Sequence, residues 1–230
     1  MALSALAGSF HDVCMKTSPS ATTEAMDKVD LGRELRSEYT ATPHPALVTP
    51  TMGDYLTITG VGSPERPEFG AAVQALYSVA WTLKMASKRA GRDFKVMTLE
   101  GIWWGPVQDR ADLQHAPGVD WHWKLVIRVP DFVSESDVRA AQDELVGKGR
   151  APSARMVQLE RIDEGECVQA LHVGPYGSEL ETIKAMSGFA RANGRVQRGP
   201  HHEIYLSDPN RTTPERLRTI LRHPVARANG

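Results

Sequence analysis

The chain has 230 residues, enough for one sizeable domain or two small ones with a real core. Its 27 Lys and Arg nearly balance 28 Asp and Glu, a net charge of −1 that gives no electrostatic reason to expect nucleic acid as a partner. No apolar run is long enough to cross a bilayer, and the first residues lack the basic start of a secretory signal. Cys14 and Cys167 show no metal-type spacing, so the sequence reads as a reduced, cytoplasmic chain without a structural metal.

Residues 1–27 are rich in Ser, Thr and Ala with little periodicity and read as a flexible leader. One domain is expected over 28–225, followed by a frayed end at 226–230. KVDLGREL begins it as a short helix, and a Pro-punctuated extended segment follows. DYLTITGVG (54–62) alternates Tyr55, Thr57 and Thr59 against Leu56 and Ile58, a strand with one polar face. Phe69, Val73, Leu76, Ala80 and Leu83 then fall at helical spacing, and Gly91 can close that helix. FKVMTLEGIWWG (94–105) and VDWHWKLVIRV (119–129) read as two strands joined by a polar, Pro-containing loop. Ser134 can cap a further helix carrying Val138, Ala141 and Leu145 on its inner face.

A second round has the same order. ARMVQLERI and ECVQALHVG suggest a hairpin around 163–165, SELETIKAMSGFARANG a helix closed by Asn193-Gly194, and HHEIYLSD a strand. Pro214 starts a helical turn, and RTILRHPV closes the domain. The expectation is an α+β fold from a duplicated strand-helix-strand-strand module. Its antiparallel sheet would have pseudo-two-fold symmetry and a central ligand cleft.

In strand geometry, His201, Glu203 and Tyr205 share one face of HHEIYLSDP. In the first half, Glu100 shares a face with Ile102 and Trp104, while Trp103 points into the helix–sheet core. An acid followed by a ring thus recurs at comparable positions, and a pseudo-dyad would bring Glu100 and Glu203 to one cavity. A carboxylate in a ring-lined hollow can position a water and take its proton, or counter a cationic ligand. The plain alternative is a carboxylate paired with Arg at the sheet margin. Tyr205 adds a phenol donor beside Glu203, or simply packs its ring with its hydroxyl in water. Glu100 is a second pocket acid or an orienting group. Trp104 is placed to stack on a flat ligand, Trp103 and Tyr55 are wall candidates, and one of Trp121 and Trp123 lines the cavity. His201 can tune Glu203. His201 and His202 diverge, which argues against zinc, and His172 is expected to be structural.

VDLGRELRSEYTATPHPALV, the Tyr55 strand, LEGIWWG, LHVGPYGSELETI and HHEIYLSDPNRTTPERLRTILRHPV follow one another over roughly residues 28–225. In that order they resemble the GyrI-like small-molecule-binding domains, in particular a stand-alone branch of cyclopropanoid cyclopropyl hydrolases acting on yatakemycin- and duocarmycin-type compounds. The resemblance implies a cofactor-independent hydrolase that adds water across the cyclopropane of a polycyclic aromatic DNA-alkylating substrate, giving resistance or detoxification. It implies Glu203 as the pocket acid; with the strand faces read above, Glu203, Tyr205 and Glu100 are expected to be catalytic and Trp104, Trp103, Tyr55, His201 and Trp123 substrate-binding. In such a reaction Tyr205 would donate to the substrate carbonyl as charge develops there. Fold likeness leaves two alternatives open: a binder that sequesters aromatic or cationic drugs, and an interaction protein that modulates gyrase. A monomer or weak homodimer is expected.

Overall fold

The structure, a computed structural model, describes residues 28–105 and 121–228. The expected leader, most of the Pro-containing loop and the last two residues lie outside the described residues. Asp30 caps a one-turn helix, α1 (Leu31–Glu34), by accepting from the Arg33 N–H at 3.3 Å, and a short strand β1 (Ala46–Val48) follows. The first module is β2 (Gly53–Val61), α2 (Pro67–Arg89), β3 (Glu100–Trp104) and β4 (His122–Val129). Pro67 starts α2 where no N–H partner is lost, and Gly91 ends it with a φ of 80° that a side chain would resist. A reciprocal capping box between Ser134 and Asp137 opens α3 (Glu135–Gly147). After β5 (Gln158–Ile162), the second module is β6 (Cys167–Val173), α4 (Leu180–Ala192), β8 (His201–Tyr205) and β9 (Arg218–Arg227), with β7 (Arg195–Gln197) beside β9.

The described strands form one antiparallel sheet in the order β1-β6-β9-β8-β3-β4-β2-β5, so the modules meet where β3 pairs with β8. Two expectations change here. The anticipated hairpin at 163–165 is a local turn only, its Asp163 carboxylate accepting from the Gly165 N–H at 3.0 Å. β5 pairs with β2, and β6 pairs with β9 and β1, because long-range partners set the strand positions. The chain end is ordered further than expected too: Arg227 is paired with Arg195.

Four residues, 163–166, connect β5 to β6, six strand positions apart in the sheet. Extended, that link reaches about 18 Å, whereas six strand spacings in a flat sheet come to roughly 29 Å. The sheet is therefore strongly curved. Glu164, on the link, reaches His202 and Arg222 on the face turned away from the helices, which makes that face the concave one.

The concave face is closed by charge. His202 Nε2 lies 3.0 Å from Glu100 Oε2 and its Nδ1 lies 2.9 Å from Glu164 Oε1. Arg222 donates to Glu164 Oε2 at 3.1 Å, to Gln169 and to the Glu38 carbonyl at 2.6 Å. The Tyr39 hydroxyl donates to Glu100 Oε1 at 2.9 Å, and Arg128 to Glu38 Oε2 at 2.6 Å. Three acids face three bases, which is how buried charge is tolerated. Glu38, Tyr39 and Thr51 thereby fasten the chain before β2 against the sheet. Burial opposes the positive charge on His202, yet Glu164 and Glu100 outweigh it and push its pKa up to about 9. Burial likewise opposes the negative charge of Glu164, while His202 and Arg222 bring it down to about 2.

Because the folded His202 holds its proton more tightly than an unfolded histidine, its contribution is complete below about pH 6.5 and fades toward pH 9. Urea unfolding at pH 6 and pH 9 should therefore show a loss of roughly 3 kcal/mol from this group across that interval. His202→Gln should be less stable at pH 6 and should flatten the slope; an unchanged slope would contradict a charged His202.

Candidate functional site

α2 packs on β2, β4 and α3, whereas α4 packs on β6, β9, β7 and β1. The two long helices therefore cover separate halves of the convex face, and the central strands β3 and β8 lie between them. Pairing fixes what this floor carries. Trp103 stands opposite His201, whose ring lies 5.9 Å from that of His223; Gly101 stands opposite Glu203, and Glu203 opposite Leu221. Tyr205 is beside Thr219. On the first-module side, the Phe69 ring of α2 stacks on Trp103 at 5.8 Å and meets Trp123 edge-on at 5.2 Å. Trp121 meets Trp103 edge-on at 5.9 Å. On the second-module side, Tyr176 meets Tyr205 edge-on at 5.8 Å.

Glu203 is 2% exposed in the middle of this floor. The Tyr205 hydroxyl donates to its Oε2 at 2.8 Å, and the Trp103 indole N–H donates to the Tyr205 oxygen at 3.2 Å. Its Oε1 lies 3.5 Å from His201 Nε2. A buried carboxylate that accepts a phenol proton and has aromatic walls can take a proton from water or hold a cationic ring system. The sequence reading directs the Tyr205 O–H to a substrate carbonyl; here that proton is directed to Glu203. Among the described residues no group of three or more His, Cys, Asp or Glu is placed to hold a metal ion.

Glu100 does not share this floor. β3 and β8 pair with 100 opposite 204 and 101 opposite 203, so side chains of equal parity face the same way. Glu100, Ile102, His202 and Ile204 face one side, and Gly101, Trp103, His201, Glu203 and Tyr205 the other. A dyad normal to the sheet preserves faces, so it cannot superpose Glu100 on Glu203, and the expectation that both acids border one hollow is overturned. Glu100 is instead completely buried between Tyr39 and His202. Tyr55 lies on the same concave side, under the Arg128 guanidinium at 5.5 Å, and burial drives its hydroxyl's pKa upward. Trp104 is also on that side, 37% exposed and stacked on His122 at 5.7 Å. Trp103, Trp123 and His201 are on the Glu203 side. Trp123 packs in the core, its ring seated over Gly60.

Three contributors escaped the sequence reading. Tyr176 sits in the Gly-Pro-Tyr-Gly turn before α4, and His223 reaches the floor through β9. Glu179, at the start of α4, is completely buried; burial first and then this neighbouring acid raise the pKa of Tyr176. The turn glycines flanking Tyr176 were a usable signal, whereas His223 is set by register alone. His172 has the structural part expected of it, with Nδ1 3.0 Å from the Thr182 hydroxyl and Nε2 3.3 Å from the Pro175 carbonyl.

Gly101 faces Glu203, and a Cβ there would sit 2.7 Å from both the Trp103 indole nitrogen and the Tyr205 hydroxyl. Gly101→Ala should force these two rings apart and cost about 1–3 kcal/mol, an overpacking penalty. Thermal unfolding would read the loss, and near-ultraviolet circular dichroism the displaced rings. A wild-type melting curve and spectrum would contradict this close packing.

The geometry agrees with what the chain is similar to. A structure from Listeria innocua described as an uncharacterized conserved protein is 36% identical, with a TM-score of 0.79, over 86% of this chain and 100% of that one. A second from Listeria innocua, described as a hydrolase, is 35% identical, with a TM-score of 0.76, over 86% of this chain and 100% of the other. The C-terminal domain of EcmrR, at 12% identity and a TM-score of 0.51 over 80% of this chain and 98% of that domain, shares the fold alone. No curated protein matches the chain. Among the described residues no helix is long and apolar enough to cross a membrane. The family model described as a GyrI-like small molecule binding domain matches residues 54–226, three quarters of the sequence, and the chain belongs to that family.

Proposed function

We propose that this protein is a cofactor-independent hydrolase that opens the cyclopropane of a flat, polycyclic aromatic alkylating agent by adding water. The observation carrying this reading is Glu203, a buried carboxylate on an aromatic floor between two helices, oriented by the phenol of Tyr205. The 35% identical Listeria innocua structure described as a hydrolase supports catalysis over simple holding.

In a spiro-cyclopropyl dienone, the water oxygen bonds to a cyclopropane methylene carbon as a ring C–C bond breaks. That electron pair moves through the ring to the carbonyl oxygen and leaves a phenolate. Glu203 accepts the proton lost by the water, and a proton then neutralises the phenolate, so one water is added overall. Strain release and the gain of aromaticity drive the step, and the protein supplies position and a base. Tyr205 holds the base in place, with Trp103, Trp121 and Tyr176 as its aromatic surroundings. Glu100, Trp104 and Tyr55 have no part in it, because they lie on the other face of the sheet.

The second reading, a binder that sequesters aromatic or cationic drugs, rests on the family description as a small molecule binding domain. One experiment separates them. Incubation with a spiro-cyclopropyl dienone should give a product heavier by one water, formed over many turnovers. Glu203→Gln should fold normally and lower kcat by about 10²–10⁴-fold, the scale for a positioned general base. Stoichiometric protection of intact substrate favours sequestration, and full turnover by Glu203→Gln rejects Glu203 as the base.

A further inference from the structure

We propose that Trp103 is a positioning residue for Glu203, acting through Tyr205. The inference rests on Glu203 being the working group of the site. It comes from the direction of two hydrogen bonds. An indole N–H can only donate, so in the 3.2 Å contact the Tyr205 oxygen is the acceptor. A phenol has one proton, and the 2.8 Å contact directs that proton to Glu203 Oε2. The sequence of donors is therefore fixed: Trp103 to Tyr205 to Glu203. Each bond polarises the next, so the indole strengthens the phenol as a donor to the carboxylate.

The surrounding packing holds this relay in register. Trp103 is 4% exposed, stacked on Phe69 and met edge-on by Trp121, so its ring has little freedom to turn. Tyr205 is met edge-on by Tyr176. Gly101 lies beneath the Trp103–Tyr205 contact, and a Cβ there would press on both bonded atoms at 2.7 Å. A glycine at this floor position thus leaves the space that the relay occupies. The Tyr205 hydroxyl thus fixes the Oε2 side of the carboxylate, while its Oε1 lies 3.5 Å from His201 Nε2. Trp103 therefore belongs to the orientation of the base, a different part from the ligand wall that its ring chemistry alone implies.

Two measurements test this. In nitrogen-15-labelled protein, the Trp103 indole N–H resonance reports the relay without any substrate. Tyr205→Phe should move it upfield as the acceptor is lost, and Glu203→Gln should move it too, through the phenol. An indole resonance indifferent to both substitutions overturns the relay. In steady-state turnover of the spiro-cyclopropyl dienone, Trp103→Phe should lower kcat about 3–10-fold with KM changed less than about 2-fold, the pattern of an interaction made with the base. The double variant Trp103→Phe/Tyr205→Phe should be no worse than Tyr205→Phe alone, because the effect of Trp103 on the base passes through Tyr205. A raised KM with unchanged kcat, or additive losses, makes Trp103 a wall and overturns the proposal. Full activity in Glu203→Gln defeats the general-base reading instead, while the resonance experiment still decides the relay.

Discussion

The pairing of β3 with β8 is the constraint on which the rest depends. It joins the two modules, and its register of 100 opposite 204 decides which side chains meet on each face. A slip of one residue would exchange the faces of the whole strand, bringing His202 into the cleft and Glu203 into the ionic network. The register is held by partners that tolerate no such exchange. Ile204 is fully buried among apolar side chains, and His202, on the same face, is clasped by two carboxylates.

The two faces of these central strands use charge in opposite ways. On the concave face, acids and bases are matched, and each carboxylate meets a cation or a phenol at short range. Such a network is costly to assemble and costlier to break, because removing one member leaves a buried charge without its partner. Its structural product is the attachment of the chain before β2 to the sheet, through Glu38 and Tyr39. On the convex face, the Glu203 carboxylate stands among rings and accepts from the Tyr205 phenol, which in turn accepts from the Trp103 indole. Adjacent residues of β8, His202 and Glu203, thus serve separate purposes because a strand alternates its sides.

Family membership and geometry bear on function differently. The family model describes a domain that binds small molecules, and the Listeria innocua structures extend the likeness over most of the chain. The proposed chemistry rests on particular atoms: a buried carboxylate, a phenol whose proton direction is defined, and the rings that surround them. Fold likeness alone supports none of those roles, since related folds bind, regulate or catalyse with different side chains in the same place.

Local information sufficed for much of the architecture. The cap at Ser134, the closing glycines at 91 and 194, the helical spacing from Phe69 to Leu83 and the alternation of the strands are all short-range signals. The face shared by His201, Glu203 and Tyr205 was legible for the same reason, since alternation within one strand needs no partner. What the sequence could not decide was the relation between strands. The turn at 163–165 looked like a hairpin, yet its strands lie six positions apart in a curved sheet, β5 at one edge and β6 inside β1 at the other. Glu100 and Glu203 looked equivalent, yet an odd offset in pairing placed them back to back. Side-chain direction along a strand is written in consecutive residues. Which strand lies beside it, and in which register, is settled by packing and buried charge contributed from distant parts of the chain.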